Sequence, residues 1–195
     1  GYGKEQKQIR NIQFSVKAGE RIGLIGPNGA GKSTTMKALM GLISDVDGII
    51  QFGPHHTHYA YIPEQPIYYE ELTLWEHLRL TASLCQLTED ELLERGEQLL
   101  RLFRLDHVKH QLPGSFSKGM QQKLMIVLAL LTKPSLYIID EPFVGLDPKA
   151  MHELNRLRDE ELKRGAGILM STHLLDAAER MCHRFVLLAQ GEQVA

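Results

Sequence analysis

Cysteine is scarce in this chain: Cys85 and Cys182 lie far apart in 195 residues, and neither belongs to a C-x-x-C pair. That excludes a disulfide framework and a thiolate zinc site, and it fits two reduced thiols in a cytosolic protein. Long apolar runs are missing too. The longest covers residues 124–131, eight in all, against the roughly 20 a bilayer-spanning helix needs. No signal peptide opens the chain, and no internal repeat or low-complexity tract interrupts it. Nor is there an excess of one charge: 24 Asp and Glu face 22 Lys and Arg, a formal net charge of −2. No global attraction to nucleic acid follows. His55, His56 and His58 cluster, but without a carboxylate or cysteine within a few residues they read as a solvated turn rather than a zinc site. Both ends read as interrupted, since position 1 is Gly rather than Met and residues 191–195 read as a turn entering a further strand.

What the chain does have is GPNGAGKST at residues 26–34. The segment fills the template G-x-x-x-x-G-K-[ST], with Gly26, Gly31, Lys32 and Ser33 in the fixed places. A loop that wraps a polyphosphate must aim successive backbone N–H groups inward, and side chains on that surface would block approach. Glycine at 26, 29 and 31 removes that obstacle and permits positive φ. Lys32 can reach the β- and γ-phosphates as a point charge, and the Ser33 hydroxyl can ligate Mg²⁺. Residues 21–25 (RIGLI) read as a short buried strand entering the loop. Residues 34–40 read as a helix leaving it, with Gly41 as its C-terminal cap. The dipole of that helix also favours an anion.

Strand-like and helical pieces alternate, which predicts an α/β fold with a largely parallel sheet. The candidate strands are 9–16, 21–25, 49–52, 59–62, 136–139, 167–170 and 184–188. Between 73 and 131 no good strand occurs and apolar residues recur at helical spacing: Leu74, Leu78 and Thr81; Leu92, Leu99 and Leu102; Leu124, Leu128 and Leu131. A helical subdomain over about 69–131, set between core segments 1–68 and 132–195, is the expected organisation. Tyr68, Tyr69 and Trp75 read as packing residues at its start.

Three further segments carry chemistry. Residues 136–139 (LYII) form an apolar run suited to a strand buried on both faces, and Asp140 and Glu141 follow at its end. At the C-terminal edge of a sheet, Asp140 could support Mg²⁺ and Glu141 could orient or deprotonate a water; alternatively, both simply begin a loop before Pro142. Ser117 and Gly119, in FSKGMQQK, sit at a helix start as either a second anion-binding nest or an ordinary N-cap. His173 follows the strand at 167–170 and is placed either to bond a γ-phosphate or as an ordinary surface residue.

Taken together, these segments resemble the ATP-binding cassette (ABC) ATPases over nearly the whole chain. The order matches: phosphate loop, helical insertion, signature segment, Asp-Glu strand, Gly145-Leu146-Asp147, His173. The steps of 23 residues from Ser117 to Asp140 and 33 from Asp140 to His173 match as well. The signature segment and residues 60–77 look like ATPase subunits of bacterial export-type transporters. The resemblance implies a P-loop NTPase core, ATP and Mg²⁺ as ligands, and Gly26, Pro27, Asn28, Gly29, Ala30, Gly31, Lys32, Ser33 and Thr34 around the phosphates. Tyr2 would stack on adenine, Glu141 would be the catalytic base and His173 the γ-phosphate sensor. Ser33 and Asp140 would serve Mg²⁺. In this family two nucleotide domains pack head to tail, so Ser117, Lys118, Gly119 and Met120 would face the partner's ATP, with Asp147 at the shared interface. An integral-membrane subunit is the other implied partner, which places the chain on the cytoplasmic face of a membrane.

Some positions depart from the family's pattern. Its usual signature is LSGGQ, whereas Lys118 stands for the first Gly and Met120 for the Gln. The Q-loop glutamine falls on Glu64, with Gln65 one residue later, and residues 51–58 replace a longer hairpin. A soluble relative acting on translation or DNA is the alternative. The sequence offers no long coiled-coil insertion, no tandem cassette and no basic patch for it.

Overall fold

The computed structural model describes residues 9–53, 58–141, 145–173, 179 and 181–194. Among them the sheet has six strands: β1 (Arg21–Ile25), β2 (Tyr59–Ile62), β3 (Leu136–Asp140), β4 (Gly167–Thr172), β5 (Arg184–Ala189) and β6 (Glu192–Gln193). Their spatial order is β2-β3-β4-β1-β5-β6; the first five are mutually parallel and β6 returns antiparallel to β5. Five parallel strands bring five C-terminal ends to one edge, the edge where open α/β sheets bind ligands.

Successive side chains on a strand point to opposite faces, and the central strands show it. Tyr137, Ile139, Ile168 and Met170 join one apolar cluster, while Ile138 and Leu169 join another with Ile22, Leu24 and Met36. The second cluster packs α1 (Lys32–Leu39) on the sheet. The first is larger and gathers α2 (Leu74–Leu84), α3 (Glu89–Leu102), α4 (Lys118–Leu131) and part of α5 (Pro148–Lys163). Leu74, Leu78, Leu100 and Leu124 are fully buried there, each worth about 1.5–3 kcal/mol of apolar transfer. Between residues 73 and 131 the structure holds helices and short 3₁₀ turns with no strand. Trp75 and Tyr68 pack against this cluster, whereas Tyr69 is exposed. No helix among the described residues is long and apolar enough to cross a membrane.

Local chemistry sets the helix ends. Thr73 and Thr88 begin capping boxes in which each hydroxyl accepts from the N–H of Glu76 or Glu91, and each glutamate reaches back to the threonine N–H. At the end of α1, Gly41 sits at φ 72°. There the Leu42 N–H bonds the Lys37 carbonyl at 2.9 Å and the Gly41 N–H bonds that of Ala38 at 3.0 Å. That is the glycine-terminated stop the sequence suggests. Arg95 donates twice to the Leu130 carbonyl at the end of α4 and also pairs with the buried Glu161 of α5, tying α3, α4 and α5 together.

Three expectations need correction. Residues 9–16 do not form a strand. Ile12, Phe14 and Val16 are half-buried against the α1-side cluster, so the alternation is real, but ladder pairing is limited to a single bridge between Arg10 and Glu192. Residues 49–52 are irregular as well: Ile49 is 86% exposed, and Phe52, itself exposed, stacks on the Tyr59 ring with centroids 6.5 Å apart. An apolar segment needs a partner edge to become a strand, and this one pairs with none among the described residues. Finally, α1 begins at Lys32 rather than at 34, because Gly31 takes the left-handed conformation (φ 101°) at its N-cap and lets the helix start directly after it.

Candidate functional site

The C-terminal edge of the sheet opens into a cleft of about 920 Å³. Its floor is the loop between β1 and α1. Asn28, Gly29, Gly31, Lys32, Ser33 and Thr34 line the cleft, while Gly26, Pro27 and Ala30 stand behind them. Gly26 is required by space: a Cβ there would lie 2.3 Å from the Leu188 carbonyl oxygen and 2.9 Å from Ala30 Cβ. Gly29 and Gly31 are required by conformation, at φ 80° and 101°. The turn after β5 braces the loop from outside through the Gly191 N–H, which donates to the Ala30 carbonyl at 3.1 Å. Lys32 is only 7% exposed. Its ammonium donates to the carbonyls of Gly26 (2.7 Å) and Pro27 (3.2 Å), which leaves its third proton for the cleft. Backbone amides, a helix N-terminus and a held ammonium together make a polyphosphate cradle.

The opposite wall comes from the ends of β2, β3 and β4. In the parallel register Asp140 pairs with Ser171. The Ser171 side chain is fully buried; its hydroxyl donates to Asp140 Oδ1 and accepts the Glu141 N–H at 3.1 Å. Asp140 is 4% exposed, and the Tyr61 hydroxyl lies near it. Burial, reinforced by the Asp140 and Glu64 charges, pushes Tyr61 up to about 12, so that hydroxyl keeps its proton and stays a donor. Glu141 has a left-handed backbone (φ 49°), uncommon for a non-glycine residue, and its carboxylate lies 2.9 Å from His173 Nδ1. Glu64 lines the cleft; Gln65 does not. The Ser33 hydroxyl and the carboxylates of Asp140 and Glu64 are hard oxygen donors facing one space. This set suits Mg²⁺, which takes one or two carboxylates and fills its remaining positions with phosphate oxygens and water.

The signature residues stand apart from this cleft. Ser117 caps α4, accepting the Met120 N–H at 3.3 Å, which is the ordinary capping geometry. Lys118, Gly119 and Met120 open that helix. Gly119 approaches Gly145 so closely that a Cβ would fall 2.5 Å from the Gly145 carbonyl oxygen. Asp147 caps α5 and pairs with the nearly buried ammonium of Lys123 at 2.5 Å. The Lys123 bond first and the Ala150 N–H second hold the Asp147 carboxyl below the usual range. The loop at 117–119 and the loop at 145–147 are therefore one ledge. Gln122 of the same helix donates to the Pro63 carbonyl at 3.2 Å, linking the ledge to the loop that carries Glu64.

Of the sequence expectations, the loop residues, Glu64, Asp140, Glu141 and His173 converge on one cleft. Tyr2, His55 and His56 lie outside the described residues, and His58 meets Cys85 and the chain entering β3. Arg10, Gln190 and Gly191 also line the cleft. Nothing local in their sequence marks them, since they arrive through the β5–β6 turn and the single bridge to residue 192.

Comparison with known proteins agrees with this geometry. Residues 9–144 match the ABC transporter family. An uncharacterized ABC transporter ATP-binding protein of Bacillus subtilis, YthP, is 51% identical over 98% of this chain and 80% of its own length. The ABC-type transporter ATP-binding protein EcsA of the same organism is 45% identical over 94% of this chain and 78% of its own. A solved ATP-binding subunit of an ABC transporter superposes with a TM-score of 0.93 at 49% identity, covering 100% of this chain and 85% of that one. With its phosphate cradle, acidic strand end and helical layer in that order, the chain belongs to the ABC transporter family of ATP-binding proteins.

Proposed function

We propose that the chain is the ATP-hydrolysing subunit of a bacterial export-type transporter, driving a separate integral-membrane subunit from the cytoplasmic face of the membrane. The observation that carries this reading is the convergence of Lys32 and Ser33 with Asp140, Glu141 and His173 on one cleft. A binding module needs only the cradle; a hydrolase needs a carboxylate across from it. The export direction rests on the likeness of FSKGMQQK and residues 60–77 to export-type subunits.

In this mechanism the loop amides and Lys32 neutralise the β- and γ-phosphates. Ser33 and Asp140 would hold Mg²⁺, which would supply charge stabilisation to the phosphate oxygens. The Glu141 carboxylate accepts a proton from the attacking water. His173, oriented by its Nδ1 contact with Glu141, presents its other ring nitrogen toward the γ-phosphate. Ser117 and Gly119 contact ATP held by a second nucleotide domain packed head to tail, with Lys118 and Met120 beside them. Asp147 lies at that interface, held by Lys123. Glu64 takes the Q-loop place.

Two substitutions test the reading. Lys32→Ala abolishes binding of a fluorescent ATP analogue. Glu141→Gln retains binding but turns over at least about 100-fold more slowly, the scale expected for loss of a general base. Equal turnover by wild type and Glu141→Gln overturns the assignment. Purification from detergent-solubilised membranes checks the partner: an integral-membrane protein in the complex supports transport, and RNA or DNA in its place contradicts it.

A further inference from the structure

Ser171 lies 31 residues from Asp140 in sequence, yet its hydroxyl touches both halves of the acidic strand end. It donates to the Asp140 carboxylate and accepts the backbone N–H of Glu141. Neither bond is incidental. Ser171 is fully buried on β4 and directly opposite Asp140 in the parallel register, so its Oγ has no water to turn to. Glu141 holds a left-handed backbone (φ 49°), which is unfavourable for a side-chain-bearing residue. Such a conformation persists only where surrounding bonds over-determine it. Here the Ser171 acceptor and the His173 contact grip Glu141 from both its backbone and its side chain.

We infer that Ser171 is a positioning residue: one hydroxyl sets the carboxylate that serves the metal and the backbone that aims the water-activating carboxylate, so the two are oriented together. The inference rests on the proposed roles of Asp140 and Glu141. Removing the hydroxyl leaves one Asp140 oxygen without its donor and the part-buried Glu141 N–H without its acceptor. Metal affinity and turnover then fall together, although Ser171 does not itself line the cleft. Partners of this kind around metal ligands are typically worth 10- to 100-fold in affinity or activity.

The test is Ser171→Ala. Mn²⁺ binding in the presence of ATP is followed by electron paramagnetic resonance, beside kcat, the KM for ATP and a thermal melt. The expected result is a Mn²⁺ affinity weakened about 10-fold and kcat lowered by about the same factor, with KM within twofold of wild type. A purely structural role moves the melting temperature and leaves kcat per folded molecule unchanged, and that result overturns the inference. So do a kcat and a Mn²⁺ affinity both within twofold of wild type. Glu141→Gln is assayed in parallel: if it turns over like wild type the proposed function itself has failed, whereas an inactive Glu141→Gln beside an unimpaired Ser171→Ala removes Ser171 alone.

Discussion

Gly26 shows how one missing side chain shapes the site. Its place is fixed by the Leu188 carbonyl 2.3 Å from where a Cβ would sit, so even alanine must displace the strand or the loop. Gly26→Ala should therefore lower nucleotide affinity by at least about 10-fold and cost about 1–3 kcal/mol of stability, read by ATP titration and denaturant melts; unchanged values for both would remove the packing argument. This loop was legible in the sequence because everything it needs lies within nine residues: glycines for close approach, a lysine and a hydroxyl at fixed spacing. Ser171 and Arg10 were not legible as site residues. Serine beside a histidine at a strand end has many ordinary uses, and its meaning comes from the register that sets it against Asp140. Arg10 reaches the cleft only through its bridge to Glu192, near the other end of the chain.

The same logic holds for whole elements. Strands buried on both faces, such as β3 and β4, announced themselves by unbroken apolar runs. Helices α2 and α3 did so by periodicity, and the structure adds the capping boxes at Thr73 and Thr88 that set where they begin. Residues 9–16 and 49–52 misled because alternation reports which side chains seek burial, not whether an edge is available for pairing. The ledge formed by α4 and α5 depends on Lys123 and Asp147, 24 residues apart. Asp147 has a folded-state pKa depressed by that contact, so its contribution to stability is present above the unfolded value and is lost as pH falls through the folded one. In Lys123→Met the Asp147 carboxyl should titrate nearer its ordinary range by NMR, and ATP-driven self-association should weaken. An unmoved Asp147 titration would show that the α5 N-terminus alone sets its charge.

At the scale of the molecule, the cleft and the ledge are separate surfaces of one chain. The cradle, the acidic strand end and His173 surround one space, whereas Ser117 and Gly119 open a helix elsewhere and line none of it. We propose that these are complementary halves of a composite site, completed when the ledge of one copy covers the cleft of another. Lys32→Ala spoils the cleft and spares the ledge; Ser117→Arg spoils the ledge and spares the cleft. Each variant alone should be nearly inactive, since every site it forms lacks one half. Mixing them creates pairs in which the intact cleft of the Ser117→Arg chain meets the intact ledge of the Lys32→Ala chain. The most direct measurement is the ATPase rate of that mixture against each variant alone: the account predicts turnover restored in the mixture, and a mixture as inactive as its components, or a Ser117→Arg chain as fast as wild type, would contradict it.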